Sequence, residues 1–225
     1  TYADCTITVS KTISTENSET NLSDSLTITP FTVSSSDDSS SSGSGVFVAV
    51  GYSGTILRST DNGSTWDNAT SPTGNNLKGV TWGNNTFVAV GASVNIVRST
   101  DNGSSWDNVT HGGGSNLLEA VTFGNNTFVA VGYSGTIVRS TDNGTTWASV
   151  TSGTGNNLLG AGFANNTFVV SGGCNSCNGV GNILRSTDNG SSWDNVTSGT
   201  GNVLDDVAFG NNTFVVSGAQ GAIVR

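Results

Sequence analysis

One unit of about forty residues is copied along most of this chain, and that self-similarity constrains the fold more than any local pattern. Aligned on the segment Arg-Ser-Thr, the copies put arginine at Arg58, Arg98, Arg139, Arg185 and Arg225, with steps of 40, 41, 46 and 40 residues. The fullest copy, residues 77–110, reads LKGVTWGNNTFVAVGASVNIVRSTDNGSSWDNVT. Four short apolar segments are separated by turn residues. Segment A (Leu77 to Trp82) meets segment B (Thr86 to Val90) through GNN, where Asn84 and Asn85 accept the positive φ of a tight hairpin. Segment C (Asn95 to Ser99) reaches segment D (Trp106 to Thr110) through TDNGSS. No stretch between them has helical period, so the unit reads as a four-stranded antiparallel meander.

Four strands in a unit of this length are the signature of a β-propeller blade. A β-helix repeat is usually shorter, and a β-sandwich has no reason to copy its sequence. The expectation is an all-β chain: a five-bladed β-propeller of four-stranded repeats over residues 46–225, preceded by an N-terminal arm over residues 1–45. The first copy starts at Val46 without segment A, and the fifth stops at Arg225 before segment D, so the repeats alone lack two strands of a closed ring. The arm offers two candidates, Cys5 to Ile13 (CTITVSKTI) and Leu26 to Val33 (LTITPFTV), followed by the Ser-rich linker 34–45. Their use as the last D and the first A strand closes the ring. Such closure occurs within one chain as a latch, or between chains as a donated strand that generates a head-to-tail filament.

The C–D turn carries the most specific motif: STDNGSTW at Ser59 to Trp66, STDNGSSW at Ser99 to Trp106, STDNGTTW at Ser140 to Trp147, and STDNGSSW at Ser186 to Trp193. It resembles the Asp-box, or bacterial-neuraminidase repeat, S-x-D-x-G-x-T-W. The flanking text, as in NNTFVAVGYSGTIVRSTDNGTTW, is similar to propellers related to the photosystem II stability and assembly factor. The resemblance covers residues 46–225 and implies a structural motif: Asp61, Asp101, Asp142 and Asp188 accepting hydrogen bonds within their own turns, Gly63, Gly103, Gly144 and Gly190 supplying positive φ, and Trp66, Trp106, Trp147 and Trp193 packing beneath.

Sialidases share the motif, and their chemistry needs an arginine cluster, a tyrosine nucleophile with a glutamate beside it, and an acid/base aspartate. Tyr2, Tyr52 and Tyr133 with Glu16, Glu19 and Glu119 form no recognisable constellation, and the arginines fall at one position per repeat. The single histidine, His111, builds neither a triad nor a usual zinc site. No catalytic residue, metal ligand or cofactor is assigned, and the expectation is a non-enzymatic protein.

A net charge of −9 with only 7 cations excludes electrostatic nucleic-acid binding, and no apolar run is long enough for a helical membrane span. Asp4, Glu16, Glu19, Asp24, Asp37 and Asp38 against Lys11 give the arm more than half of that charge. Low charge, abundant Ser, Thr, Asn and Gly, and three cysteines point to a secreted or cell-surface protein. Cys174 and Cys177, in the insertion SGGCNSCNGVGN, are a candidate loop disulfide, which leaves Cys5 odd. Sequons recur with the repeat; the hairpin-tip sites Asn84, Asn125, Asn165 and Asn211, with Asn68, Asn108 and Asn195, are candidate glycosylation sites. The leading functional expectation is a structural or surface-assembly subunit whose partner is itself, polymerising through the N-terminal strand. The alternatives are a monomeric, latched propeller that binds carbohydrate or protein, lectin-like, and an assembly chaperone.

Overall fold

The protein is described here from a computed structural model, which describes residues 32–36, 45–109, 116–174 and 180–225. Five antiparallel sheets follow one another along the chain. The first contains β1 (Thr32–Ser36), β2 (Val46–Val50), β3 (Ile56–Ser59) and β4 (Asp67–Asn68). The second contains β5 (Leu77–Gly83), β6 (Thr86–Gly91), β7 (Ile96–Ser99) and β8 (Asp107–Val109). The third contains β9 (Leu118–Gly124), β10 (Thr127–Gly132), β11 (Thr136–Ser140) and β12 (Ala148–Val150). The fourth contains β13 (Asn157–Ala164), β14 (Thr167–Cys174), β15 (Val180–Ser186) and β16 (Asp194–Val196). The fifth contains β17 (Leu204–Gly210), β18 (Thr213–Gly218) and β19 (Ile223–Val224). Each sheet is an uninterrupted meander, a blade.

The turn chemistry explains the meander. Asn84 and Asn85 have φ of 49° and 57°, and the pairs Asn125–Asn126, Asn165–Asn166 and Asn211–Asn212 repeat this left-handed geometry. Two consecutive positive φ values give the hairpin whose twist matches its strands, and Trp82 thereby pairs with Phe87 across it. At the opposite end of each B strand sits a glycine held in extended backbone. A Cβ on Gly91 would lie 2.0 Å from the Asn76 carbonyl oxygen, and Gly132, Gly172 and Gly218 meet the same obstruction. The A strand bulges there, between Leu77 and Gly79 in the second blade, so the two backbones approach too closely for a side chain.

Successive A strands pack side by side, β1 on β5, β5 on β9, β9 on β13 and β13 on β17, and form the inner row of the arc. The core lies between blades rather than within one. Val48, Val50 and Ile56 on the front of the first blade pack against Phe87, Ala89, Val97 and Trp106 on the back of the second. Val88, Val90 and Ile96 meet Phe128, Ala130, Val138 and Trp147 in the same way. Period-2 alternation along each B strand thus gives every blade a valine face forward and an aromatic face backward.

One strand boundary needs correction. The A strand of the first blade is Thr32–Ser36, in register with β2 from Thr32↔Val50 to Ser36↔Val46. Of the expected Leu26–Val33 strand only Thr32 and Val33 lie among the described residues; both are in β1, which continues over Ser34–Ser36 into the segment read as linker. Among the described residues the first and fifth sheets do not join, and β17 packs on β13 and β14. The proposed closing strand Cys5 to Ile13 lies outside the described residues, as do His111, Cys177 and the side chain of Cys174.

Candidate functional site

The A–B turns and the STDNG hairpins share one end of the arc, and their polar groups are largely committed to holding it together. In the second blade, Ser99 Oγ donates to Asp101 Oδ1 at 2.7 Å, the Ser105 amide donates to the same oxygen at 2.9 Å, and Ser105 Oγ donates to Oδ2 at 2.6 Å. The Gly103 amide donates to Ser99 Oγ, and Trp106 Nε1 donates to the Gly103 carbonyl at 3.1 Å. Asp61, Asp142 and Asp188 repeat the pattern.

These bonds hold the carboxylates in their charged form. The Thr65 hydroxyl and amide, with Ser59, lower Asp61 to about 2. At Asp101 and Asp142 burial acts in the opposite direction, and the hydroxyl and amide donors outweigh it to leave both at about 2. The Ser192 hydroxyl leads the same effect at Asp188, which also falls well below the usual carboxylate range. Such groups are poor proton donors at neutral pH.

Three of the repeat arginines reach across to the next blade. Arg58 Nε donates to the Asn102 carbonyl at 2.6 Å, Arg98 Nε to Asn143 at 2.7 Å, and Arg139 Nε to Asn189 at 2.7 Å. The glycine that follows each of these asparagines sits over the preceding blade's valine; a Cβ on Gly103, Gly144 or Gly190 would meet Val48, Val88 or Val129 at about 3 Å. Hairpin-tip asparagines add to this cement. Asn84 Nδ2 donates to Asn143 Oδ1, Asn125 Nδ2 to Asn166 Oδ1, and Asn165 Nδ2 to Asn212 Oδ1. Asn108 Nδ2 donates to the Pro72 carbonyl. Among the described residues, the side chains of Asn68, Asn195 and Asn211 make no such bond, and all three are exposed.

The other end, formed by the B–C turns, is built differently. Each turn places one residue at φ between 53° and 59°: Ser53, Ser93, Ser134 and Gln220. Tyr52 and Tyr133 precede that residue in the first and third blades and are 42% and 38% exposed. Lys78 Nζ lies 5.4 Å from the Tyr52 ring centroid. Burial raises the Tyr133 pKa, as does the neighbouring Glu119 carboxylate through its negative charge and hydrogen-bonding capacity. Lys78 and Glu119 occupy the same place on β5 and β9, and Asp205 holds it on β17. Sequence reasoning had weighed Tyr52, Tyr133 and Glu119 only as catalytic candidates; the two tyrosines open YSG turns, and Glu119 stands on β9.

No protein-family model and no curated protein matches the chain. Solved structures do match. YCF48 bound to a D1 peptide superposes with a TM-score of 0.64 at 19% identity, covering 87% of this chain and 63% of that one. The fold is a β-propeller. YCF48 from Cyanidioschyzon merolae gives 0.57 at 17% identity over 79% of this chain and 62% of that one. The computationally designed Ika8 protein gives 0.60 at 15%, over 79% and 54%. The propeller therefore spans less than two thirds of the length of each of these neighbours. The likeness agrees with the fold that the assembly-factor resemblance implied.

Proposed function

We propose that this chain is a non-enzymatic, extracellular propeller that binds a protein or peptide segment on its B–C end. The observation that carries the reading is the contrast between the two ends. The STDNG end, which we read as four Asp-boxes, spends its polar groups on the scaffold, whereas the B–C end exposes Tyr52 and Tyr133 beside Lys78 and Glu119. Exposed tyrosines flanked by charge are the residue type that dominates protein recognition. A neighbour of the same fold bound to a peptide supports the choice of ligand class. Low charge and free sequon side chains at Asn68, Asn195 and Asn211 support a secreted, glycosylated protein.

The test is to pan a random peptide library on the chain and measure the selected peptides by calorimetry. Replacing Tyr52 and Tyr133 with alanine is expected to weaken them by about thirtyfold or more, the loss of about 2 kcal/mol typical of a hot spot. Peptide binding indifferent to both tyrosines sinks the reading, and selective glycan binding in its place points to a lectin.

A second reading, a filament subunit built by strand donation, is favoured by one observation. The fifth sheet has three described strands where the other four have four. We infer that the segment Cys5 to Ile13 of a neighbouring molecule is the donor. Ile7→Pro removes a ladder position and is expected to abolish assembly by this route; assembly unchanged by Ile7→Pro excludes it.

A further inference from the structure

The STDNG hairpins place a chemically weak bond at the same point in four blades. Asn62–Gly63, Asn102–Gly103, Asn143–Gly144 and Asn189–Gly190 are Asn-Gly pairs, and a further one, Asn178–Gly179, lies outside the described residues. In such a pair the glycine amide nitrogen, unhindered by a side chain, attacks the asparagine Cγ. A ring N–C bond forms, the side-chain nitrogen leaves with the amide proton as ammonia, and water then opens the succinimide to aspartate or isoaspartate. The attack needs a glycine N–H that can surrender its proton and a backbone free to swing that nitrogen towards Cγ.

The folded hairpin denies both requirements. The amides of Gly63, Gly103, Gly144 and Gly190 donate to the hydroxyls of Ser59, Ser99, Ser140 and Ser186, each at 2.9 Å. All four serines are buried. Each spends its own hydroxyl proton on the aspartate of the motif, at 2.7 Å to Asp61 and Asp101 and 2.8 Å to Asp142 and Asp188. With the proton so directed, the hydroxyl presents lone pairs to the glycine, and the ionised aspartate keeps the serine an acceptor. The backbone is equally fixed: the asparagines have φ of 57° to 65° and the glycines after them 76° to 81°. Gly103, Gly144 and Gly190 are also buried over a valine of the preceding blade.

The same asparagines join blades. The carbonyls of Asn102, Asn143 and Asn189 accept the arginine of the preceding blade. Asn143 Nδ2 donates to the Asn84 carbonyl at 3.2 Å, and Asn189 Nδ2 donates to the Asn125 carbonyl at 3.3 Å and to Thr127 Oγ1 at 2.7 Å. Deamidation replaces that donor with a carboxylate oxygen facing a carbonyl oxygen. In the isoaspartate product the main chain runs through Cβ and Cγ, and the carbonyl carbon that the arginine clasps leaves the main chain altogether.

We propose that the Asn-Gly bonds of the four hairpins are deamidation sites kept silent by the motif serine, so that each hairpin carries a one-way chemical record of its own opening. A hairpin that opens frees the glycine amide from Ser59, Ser99, Ser140 or Ser186. Reaction at Asn143 or Asn189 then removes the polar contacts that hold its blade to the one before. The modification goes beyond the peptide-binding reading and uses nothing on the B–C end.

The test ages the full 225-residue chain at neutral pH, folded and in urea, and reads each site by peptide mass. Trypsin cleaves after Arg58, Arg98, Arg139 and Arg185, so every STDNG hairpin begins a separate peptide. The four bonds are expected to react about tenfold more slowly, or slower still, in the folded chain, the worth of one hydrogen bond on the attacking nitrogen. Ser99→Ala is expected to raise the rate at Asn102 by about tenfold and to leave Asn62, Asn143 and Asn189 at wild-type rates. Ser186→Ala is expected to do the same at Asn189 alone, and the intact hairpins report that each variant stays folded. Folded protein that deamidates as fast as unfolded protein overturns the proposal. So do serine variants that both leave their own asparagine unchanged, or that both accelerate all four hairpins alike. Asn189→Asp, which imitates one product, is expected to lower the melting temperature; an unchanged value overturns the link to the blade joint.

Discussion

A single aspartate in each STDNG hairpin organises three donors, and its ionisation is part of the fold. The carboxylates of Asp61, Asp101 and Asp142 titrate near 2 in the folded chain, below their ordinary value of 3.8. A depressed folded-state pKa adds stability that is complete above the unfolded value and is lost as pH falls through the folded one. The melting temperature is therefore expected to be flat down to about pH 4, with respect to these groups, and to fall between about pH 4 and pH 2. Scanning calorimetry across that window checks the sign; replacing Asp101 with asparagine is expected to lower the melting temperature at pH 7 and to remove part of the slope. This chemistry was legible in the sequence because the motif is local, with every partner within four residues. The arginine was legible as a repeated position, but its reach into the next blade was not, because the partner lies 44 to 50 residues away.

At the scale of the strand, the glycines Gly91, Gly132, Gly172 and Gly218 in the B segments of the second to fifth blades are fixed by backbone crowding rather than by a special dihedral. Gly91→Ala would force a Cβ to within 2.0 Å of the Asn76 carbonyl oxygen, and a loss of about 1–3 kcal/mol or more is expected from overpacking of this kind. Gly155→Ala, with open space around the added carbon, is expected to change stability by no more than about 0.5 kcal/mol. Urea unfolding of the two variants compares them directly. Strand positions within the repeat were legible from turn residues and alternation. The first A strand was not, since TVSSS lacks an apolar alternation and is identified only by its register on β2. Val94 was equally hidden: it has φ of 52° where Gly54, Gly135 and Gly221 stand in the other turns, and its side chain is buried in the core between the second and third blades.

For the whole molecule, the number of blades could be counted from the sequence, while the angle between successive blades could not. Counting strands assumes that twenty will close, but closure depends on the rotation from one blade to the next. That rotation is set where A strands meet, for example where Gly79 lies against the backbone of Glu119 and Ala120 and Gly160 against that of Asp206. These are contacts between units, and no single copy of the repeat encodes them.

The arginine clasp also bears on how such a gene can change. Each of the first four copies carries both halves of the joint, a valine and arginine in front and an STDNG hairpin behind, so excising or duplicating one whole unit among them leaves the junctions matched. Unequal recombination between near-identical copies thus alters the length of the arc without demanding compensating point mutations, and arc length becomes a trait on which selection can act directly.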